Sequence, residues 1–555
     1  MPSELNSTLD VAIIGAGISG LAAARLLANN GVTNFKVFDA NDRVGGRTFV
    51  DEDGTDLGGA YIGPTQDRIM QIIDELGLKL KKIDMSGSTV QVLNGVSTRY
   101  TGTIPPVSVL GMVDLNNAMI SLDALCMEID LINPSKSKDA SWLDLMTGEE
   151  LLRKFVVTHD AQQMMRLAIR SILCVEACQV SGLFLVWYIA QSGGCQRIFE
   201  TENGAQDSKV IGGAGRIAQL LAKKYTPKQT RRLVLNSPIR SINLVSSSHV
   251  LLCGENELQV AAKYVIFAIP PVQMLRLQYT PALEGNRFAS LQRWPTGCII
   301  KTVMYYSRRF WREDAQLNGT VIAAGCIVCV SFDDTDSEGK RPGIMGFVLA
   351  HESLKGQTRE ERQQEICEHY ARSFGIQEFL TPVGYKEKNW QEEQWVGGCY
   401  VGSVGPGVLT SCKLAHQPPL RDSKGQKRVY IAGTESARVN IGYMDGAVEA
   451  GERAARNVLV QMQRLPADQY NTISRPTPSQ QMPCSPVGYS WVERALPSVQ
   501  VLRTFVVFSL LFATVYLLLH PGNLVMQSLE SPVVSTLVSA LVLGVLFSSW
   551  SRNNR

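Results

Sequence analysis

The sequence predicts an α/β fold, and three observations predict it. A short apolar strand, Val11-Ala12-Ile13-Ile14, runs into Gly15-Ala16-Gly17-Ile18-Ser19-Gly20, then a helix rich in alanine and leucine at 21–29 and a second strand, Phe35-Lys36-Val37-Phe38-Asp39. A strand, a glycine loop and a helix recur late, at 428–432, at Gly433-Thr434-Glu435 with Gly442-Tyr443-Met444-Asp445-Gly446, and at 447–460. Between the two units, amphipathic stretches alternate with apolar strands.

The first unit is a βαβ with its glycine motif at the turn from strand to helix. Gly15 permits the tight turn, Gly17 lets the backbone approach a pyrophosphate, and Gly20 lets helix and strand pack closely. The helix N-terminus offers N–H groups and a partial positive field to that pyrophosphate, and Asp39 is placed to accept from a ribose. Further along, 67–76 reads as a helix, 142–168 as several, and Gly212-Gly213-Ala214-Gly215 precedes another at 216–222. Strands follow at 232–234 and across 239–251, the latter around a turn at Ser246-Ser247-Ser248. The apolar strand at 263–269 stops at Pro270-Pro271 and suits the nucleotide sheet. Another strand covers 299–306, ahead of Phe310-Trp311, and 354–374 reads as a surface helix or a pair of helices. The Pro-, Ser- and Gln-rich stretch 464–489 is an extended connector.

With 555 residues the chain is expected to form two or three domains. Its 45% hydrophobic and 19% charged residues exclude a mainly disordered chain. Lys plus Arg number 54 against 51 Asp plus Glu, so no large positive field argues for nucleic acid. Twelve scattered cysteines do not resemble the framework of a small secreted domain, and with six scattered histidines they give little support for a metal centre. The first nine residues carry neither a secretory nor a transit pattern, but the other end is apolar. Residues 504–519 are uncharged and with Val501 and Leu502 nearly reach the length of a bilayer span, Arg503 and His520 lying at the two interfaces. Pro521-Gly522 interrupts, and a second uncharged run covers 533–550 before two terminal arginines. One pass by 501–520, two passes, or a span at 533–550 with the first segment at the interface are all compatible. Post-translational insertion with the main body in the cytosol is expected.

Four motifs carry a family resemblance that extends from about Val11 to the tail. They are the Gly15 to Gly20 loop with Asp39; Asp42-Arg43-Val44-Gly45-Gly46-Arg47-Thr48 followed by Asp56-Leu57-Gly58-Gly59-Ala60-Tyr61; Trp395-Val396-Gly397-Gly398-Cys399-Tyr400; and the Gly433 and Gly442 loops. With these the chain resembles flavin-dependent monoamine oxidases of the animal type. The resemblance implies a discontinuous Rossmann-like FAD-binding domain (8–81, 212–292 and 395–463) and a mixed-sheet and helical substrate domain (82–211 and 293–394). A connector (464–500) and a transmembrane tail (501–550) complete it. An isolated cysteine is usually a small buried hydrophobe, but by resemblance Cys399 bonds through sulfur to the 8α carbon of FAD.

The resemblance also implies roles for the remaining site residues. Tyr400 and Tyr443 flank the amine, Lys301 holds a water near flavin N5 and assists reoxidation, and Trp390 packs nearby. Arg43 and Arg47 meet pyrophosphate or position the backbone beside it. Gly45, Gly46 and Gly433 lie along the cofactor. The peptide N–H groups around Tyr443 and Met444 face the flavin pyrimidine edge. Tyr61, Leu173, Ile198, Phe199, Gln206 and Val330 fall in cavity-bearing stretches, Phe199 as a bulky gate and Val330 as a small one. The chain departs from the family pattern at Arg438-Val439-Asn440-Ile441, near 174–179 and at Arg170, which either forms an internal ion pair or adds polarity toward the cavity. The expected activity is oxidation of primary arylalkyl monoamines by FAD, oxygen and water, without a metal, in a homodimer. The mitochondrial outer membrane is the expected location and the endoplasmic reticulum the alternative. Competing readings are a polyamine or amino-acid oxidase and a non-catalytic membrane flavoprotein.

Overall fold

The computed structural model describes residues 8–102, 105–349, 356–412, 418–473, 476, 478–479 and 481–519. Two large sheets organise it. The first has nine strands, centred on Gln259–Phe267. Leu9–Ile14 runs parallel to that strand on one side and parallel to Phe35–Phe38 beyond it. On the other side, the first half of Gln259–Phe267 pairs antiparallel with Val250–Gly254 and its last residues pair parallel with Lys427–Ile431. One long strand therefore fastens the early, middle and late parts of the chain together. Both faces of Leu9–Ile14 are covered: Val11 and Ile13 join a cluster with Tyr430 and Val458, while Ala12 and Ile14 join one with Ile242 and Leu252. Burial on both faces explains why this strand is a continuous apolar run.

Helices Ile18–Asn29 and Met444–Gln461 lie together against this sheet. Their approach is set by glycines. A Cβ on Gly451 would stand 2.0 Å from the Ser19 carbonyl oxygen, and one on Gly20 would stand 1.9 Å from that of Gly15.

The second sheet has seven strands in the order Gly384–Asn389, Ile299–Tyr305, Gly343–Leu349, Val328–Asp333, Leu317–Ala323, Ser88–Leu93 and Val96–Tyr100. The pairing of Leu317–Ala323 with Ser88–Leu93 is parallel and the others are antiparallel, so the sheet is mixed. Part of it packs on an aromatic cluster that includes Trp311, Phe374 and Phe379. Helix Arg359–Phe374, started by a Thr358–Glu361 capping box, belongs to that cluster. It is a single surface helix with one buried face, Ile366, Tyr370 and Phe374, because the apolar positions recur at helical spacing.

A helical layer between 109 and 199 covers the cavity face of this sheet. The longest of its helices, Val109–Met127, is apolar enough to cross a membrane by composition alone. It stays in the core because Asp114, 1% exposed, accepts from the backbone N–H groups of Val157 and Thr158 at 2.7 Å each. Asp144 similarly ties Ser181 to Thr410.

The connector is strapped to this layer. Tyr489 donates its hydroxyl to Asp123 at 2.6 Å, Asn116 donates to the Glu493 carbonyl at 2.8 Å, and Gln500 donates to the Lys154 carbonyl at 3.0 Å. Helix Val499–Leu519 then leaves the body, its 21 residues exposing Phe505, Phe508, Leu511, Phe512 and Val515. At about 1.5 Å per residue it is about 31 Å long, the thickness of a bilayer's hydrocarbon core. His520 and the second apolar run, 533–550, lie outside the described residues.

Gly451→Ala should lower stability by about 1–3 kcal/mol by forcing the two helices apart, read as an earlier thermal melt of the detergent-solubilised protein. An unchanged melt would contradict the close approach.

Candidate active site

The first sheet ends in a cavity of about 190 Å³ lined by Gly15, Gly17, Asp39, Gly45, Gly46, Arg47, Gly433 and, at its far end, Cys399, Tyr400, Tyr443 and Met444. Gly15 has φ +104°, and a Cβ there would meet the Ala268 carbonyl oxygen at 2.6 Å; a Cβ on Gly17 would meet nothing nearer than 3.9 Å. The first glycine makes the turn, and the second leaves backbone facing open space. Gly20 lies behind the lining, where it packs helix on strand. Asp39 accepts from the N–H groups of Ala16 at 2.6 Å and Asn41 at 2.8 Å. Burial raises its pKa against those bonds. A long cleft with glycine backbone at a helix N-terminus, a carboxylate at one end and a cysteine at the other fits a flavin dinucleotide.

Of the two arginines, Arg47 reaches the cavity and Arg43 does not. Arg43 donates to the Gly46 carbonyl at 3.0 Å and pairs with Glu393 at 3.1 Å, contacts that position the loop. Arg47 grips Glu435 with both guanidinium arms, at 2.5 and 2.9 Å, and donates to the Tyr400 carbonyl at 2.9 Å. Burial acts to raise the Glu435 pKa, but the guanidinium holds the carboxyl below its ordinary value. Sequence reasoning assigned Glu435 no role, although a carboxylate in a glycine loop after an apolar strand was a signal. Thr434 was also missed. Its hydroxyl accepts from Gly442 N–H at 2.7 Å and donates to the Tyr443 carbonyl at 3.0 Å, which sets the loop carrying Tyr443.

Cys399 is buried, and burial pushes its thiol up to about 12 even though Arg47 opposes this. Gly398, φ +129°, allows the chain to pass the Gly297 carbonyl, which a Cβ would approach to 2.5 Å. Tyr400 meets Phe347 edge-on at 5.8 Å, and Tyr443 stacks on Tyr188 at 6.0 Å. Burial raises the pKa of both tyrosines, so their hydroxyls stay neutral. Lys301, 3% exposed, donates to the Gly58 carbonyl at 2.9 Å, and Trp390 donates its indole N–H to the neighbouring Leu57 carbonyl at 2.9 Å.

Gly59, Cys399, Tyr400, Gly442, Tyr443 and Met444 also line a second cavity of about 610 Å³, so the two meet at this point. The wide cavity is walled by Tyr61, Ile198, Phe199, Gln206 and Val330, together with Lys301 and Trp390. Leu173 is absent from the wall. It is fully buried in the helical core, and the preceding Ile172 faces the cavity, because one residue turns a helix by about 100°. Arg170 pairs with Glu176 at 2.8 Å and does not line the wall, which resolves its two readings in favour of the ion pair. Asn440 likewise turns away, donating its amide to Asp445 at 2.8 Å. Among the described residues no group of three or more His, Cys, Asp or Glu could hold a metal. The chain's one Cys-x-x-Cys spacing, Cys326 to Cys329, belongs to no such group.

Residues 18–459 match the family of flavin containing amine oxidoreductases. The B form of flavin-containing amine oxidase from Bos taurus is 38% identical over 535 residues, covering 94% of this chain and 100% of that protein. The Oncorhynchus mykiss flavin-containing amine oxidase is 39% identical over 514 residues, covering 91% of this chain and 96% of its own. Among solved structures, putrescine oxidase bound to putrescine superimposes with a TM-score of 0.76 at 30% identity, covering 82% of this chain and 99% of that one. Cyclohexylamine oxidase from Brevibacterium oxydans gives 0.76 at 26% identity, covering 82% and 100%.

The chain belongs to the flavin-containing amine oxidoreductase family. It is an FAD-dependent enzyme that deaminates monoamines oxidatively, and its apolar C-terminal helix anchors it to a membrane. In this oxidase the wide cavity and the glycine-lined cleft meet at Tyr400 and Tyr443.

Lys301 is a buried charged group in the wall of the wide cavity. Burial, and then the neighbouring Lys209 ammonium, push its pKa down to about 8, against the pull of Asp56 and Asp334. Unfolding restores the ordinary value of 10.5. The unfolded chain thus binds more protons between these two pKa values, so the strain of the buried charge is fully present below about pH 8 and is relieved as pH rises toward 10.5. Melting curves from pH 7 to 10 should show wild type gaining on Lys301→Met as pH rises. Parallel curves would contradict a buried, depressed lysine.

Proposed function

We propose that this enzyme oxidises primary arylalkyl monoamines to aldehydes with FAD attached covalently through Cys399. One amine, one oxygen and one water give one aldehyde, one ammonia and one hydrogen peroxide. The observation that carries this reading is the meeting of the two cavities at Cys399, Tyr400, Tyr443 and Met444. Bound FAD supplies a two-electron acceptor that oxygen can restore.

The protein's own part is orientation, dryness and field. Tyr400 and Tyr443 hold the amine between neutral aromatic side chains. The apolar wall of Ile198, Phe199 and Val330 accepts the aryl group and, by withholding water, favours the neutral amine whose lone pair is needed for reaction. Lys301 supplies positive charge near oxygen below about pH 8. The N-terminus of helix Met444–Gln461 adds a favourable field for negative charge in the cleft. Arg47, Gly15, Gly17 and Asp39 line the path for the rest of the dinucleotide.

The alternatives have less support. A polyamine oxidase would aim carboxylates into the wide cavity, and Glu200, Glu202 and Glu493 do line it. Glu202 pairs with Lys82, however, and Glu493 accepts from Ser490 N–H. An amino-acid oxidase would use Arg170 for a carboxylate, but Glu176 holds it. We further propose the chain segments given above as the two domains, a homodimer, and attachment to the mitochondrial outer membrane with the body in the cytosol.

Anaerobic titration of the detergent-purified protein with phenylethylamine should bleach the oxidised flavin. Intact flavin that stays oxidised would defeat the arylalkylamine reading, and bleaching by putrescine instead would favour the polyamine one. After denaturation, flavin should stay with wild-type protein and separate from Cys399→Ala. Flavin lost from both would rule out the thioether.

A further inference from the structure

Two buried ammonium groups flank one aromatic ring. Tyr61 and Lys209 stand directly opposite each other on paired strands, so their side chains share a face. The Lys209 nitrogen lies 5.9 Å from the centre of the Tyr61 ring, and the Lys301 nitrogen lies 5.9 Å from the same centre. The two nitrogens are therefore no further apart than twice that distance. Tyr61 and Lys301 belong to the wall of the wide cavity, whereas Lys209 lines a separate polar cavity of about 580 Å³ together with Asp56 and Asp334.

Lys209 pairs with the Asp334 carboxylate, and a second carboxylate, Asp56, lies at 3.9 Å. Asp56 is itself fixed, being 2% exposed and accepting from Ala214 N–H at 2.8 Å. Burial works against the Lys209 charge, but the two carboxylates hold its pKa above the ordinary value, so it stays an ammonium up to about pH 10. Among the described residues Lys301 makes no ion pair, and its one hydrogen bond goes to the Gly58 carbonyl. The other groups around it carry little free charge. Lys388, opposite Lys301 on the neighbouring strand, pairs with Glu393 and lies over the Trp390 ring at 5.3 Å. Burial keeps the Cys399 thiol and the Tyr61 and Tyr400 hydroxyls neutral, and Arg47 is held by Glu435. Lys209, Asp56 and Asp334 are what remains to act on Lys301.

We propose that Lys209 is a positioning residue that acts through Lys301: its ammonium, fixed by Asp56 and Asp334 beside the Tyr61 ring, makes Lys301 easier to deprotonate and so sets the pH above which oxygen no longer meets a positive charge. The inference rests on the reading of Lys301 as the charge near oxygen. Two like charges about 10 Å apart inside a protein move a pKa by about one unit.

Two measurements on the solubilised holoenzyme test this. Melting curves read the proton on Lys301 directly, and the rate at which oxygen restores the flavin of the reduced enzyme reads its use. The gain of wild type on Lys301→Met should begin near pH 8. With Lys209→Met in both proteins the same comparison should give a smaller gain, beginning about one pH unit higher. With Asp334→Asn in both it should begin lower, and Lys209→Arg should restore the wild-type onset. The pH at which reoxidation slows should move in the same direction in each variant. A wild type that gains nothing on Lys301→Met, or a gain that Lys209→Met leaves unchanged, overturns the proposal. If Lys209→Met does not fold, Asp334→Asn decides, and an unmoved onset there overturns it. Reoxidation indifferent to pH, with a melting gain that still follows Lys209, sinks the oxygen role of Lys301 and keeps the coupling of the two lysines, so the two failures are distinct.

Discussion

Arg47 and Glu435 form a two-armed ion pair at the point where the chain's distant segments converge. The arginine follows the first glycine unit, the glutamate follows the last strand of the same sheet, and the arginine also holds the carbonyl of Tyr400. Glu435 is 3% exposed and additionally accepts from Gly402 N–H at 3.3 Å. A buried pair of this kind adds little stability over apolar packing, but loss of one partner leaves an uncompensated charge and costs about 3–5 kcal/mol. Its value here is positional. It fixes the backbone on which Cys399 and Tyr400 stand relative to the glycine loop, and so the alignment of the two cavities.

From that junction the division of labour is clear. The doubly covered sheet gives a rigid frame whose glycines sit where a methyl group would collide with backbone. The mixed sheet and the helical layer give a cavity whose chemistry varies by side chain alone. The wall is apolar at Ile198 and Val330, polar at Asn318 and Thr320, and charged at Lys301.

The legible parts of this arrangement were those whose signal is local. The βαβ unit announced itself because turn, close approach and helix start fall within six residues, and the late strand–loop–helix repeats that pattern. Cys399 was singled out only through family resemblance, since neither burial nor spacing distinguishes it from an inert thiol. Helix Val109–Met127 begins at a Ser108 cap, but its apolar residues do not gather on one face, so its place under the cavity was not read. Leu173 and Ile172 differ only in helix phase, which a chain segment of uncertain start does not define. Glu435 acts through Arg47, hundreds of residues away, and such a pairing has no sequence pattern of its own.

The connector's hydrogen bonds have a mechanical meaning. Asp123 accepts from Tyr489 with one oxygen and from Cys195 N–H with the other, and Cys195 opens the short helix that ends in Ile198 and Phe199. Gln500, at the root of the tail helix, is bonded to the same helical layer. The anchor is therefore tied to the helical layer that also carries Ile198 and Phe199 in the wall of the wide cavity, so the root of the tail and that wall share one support.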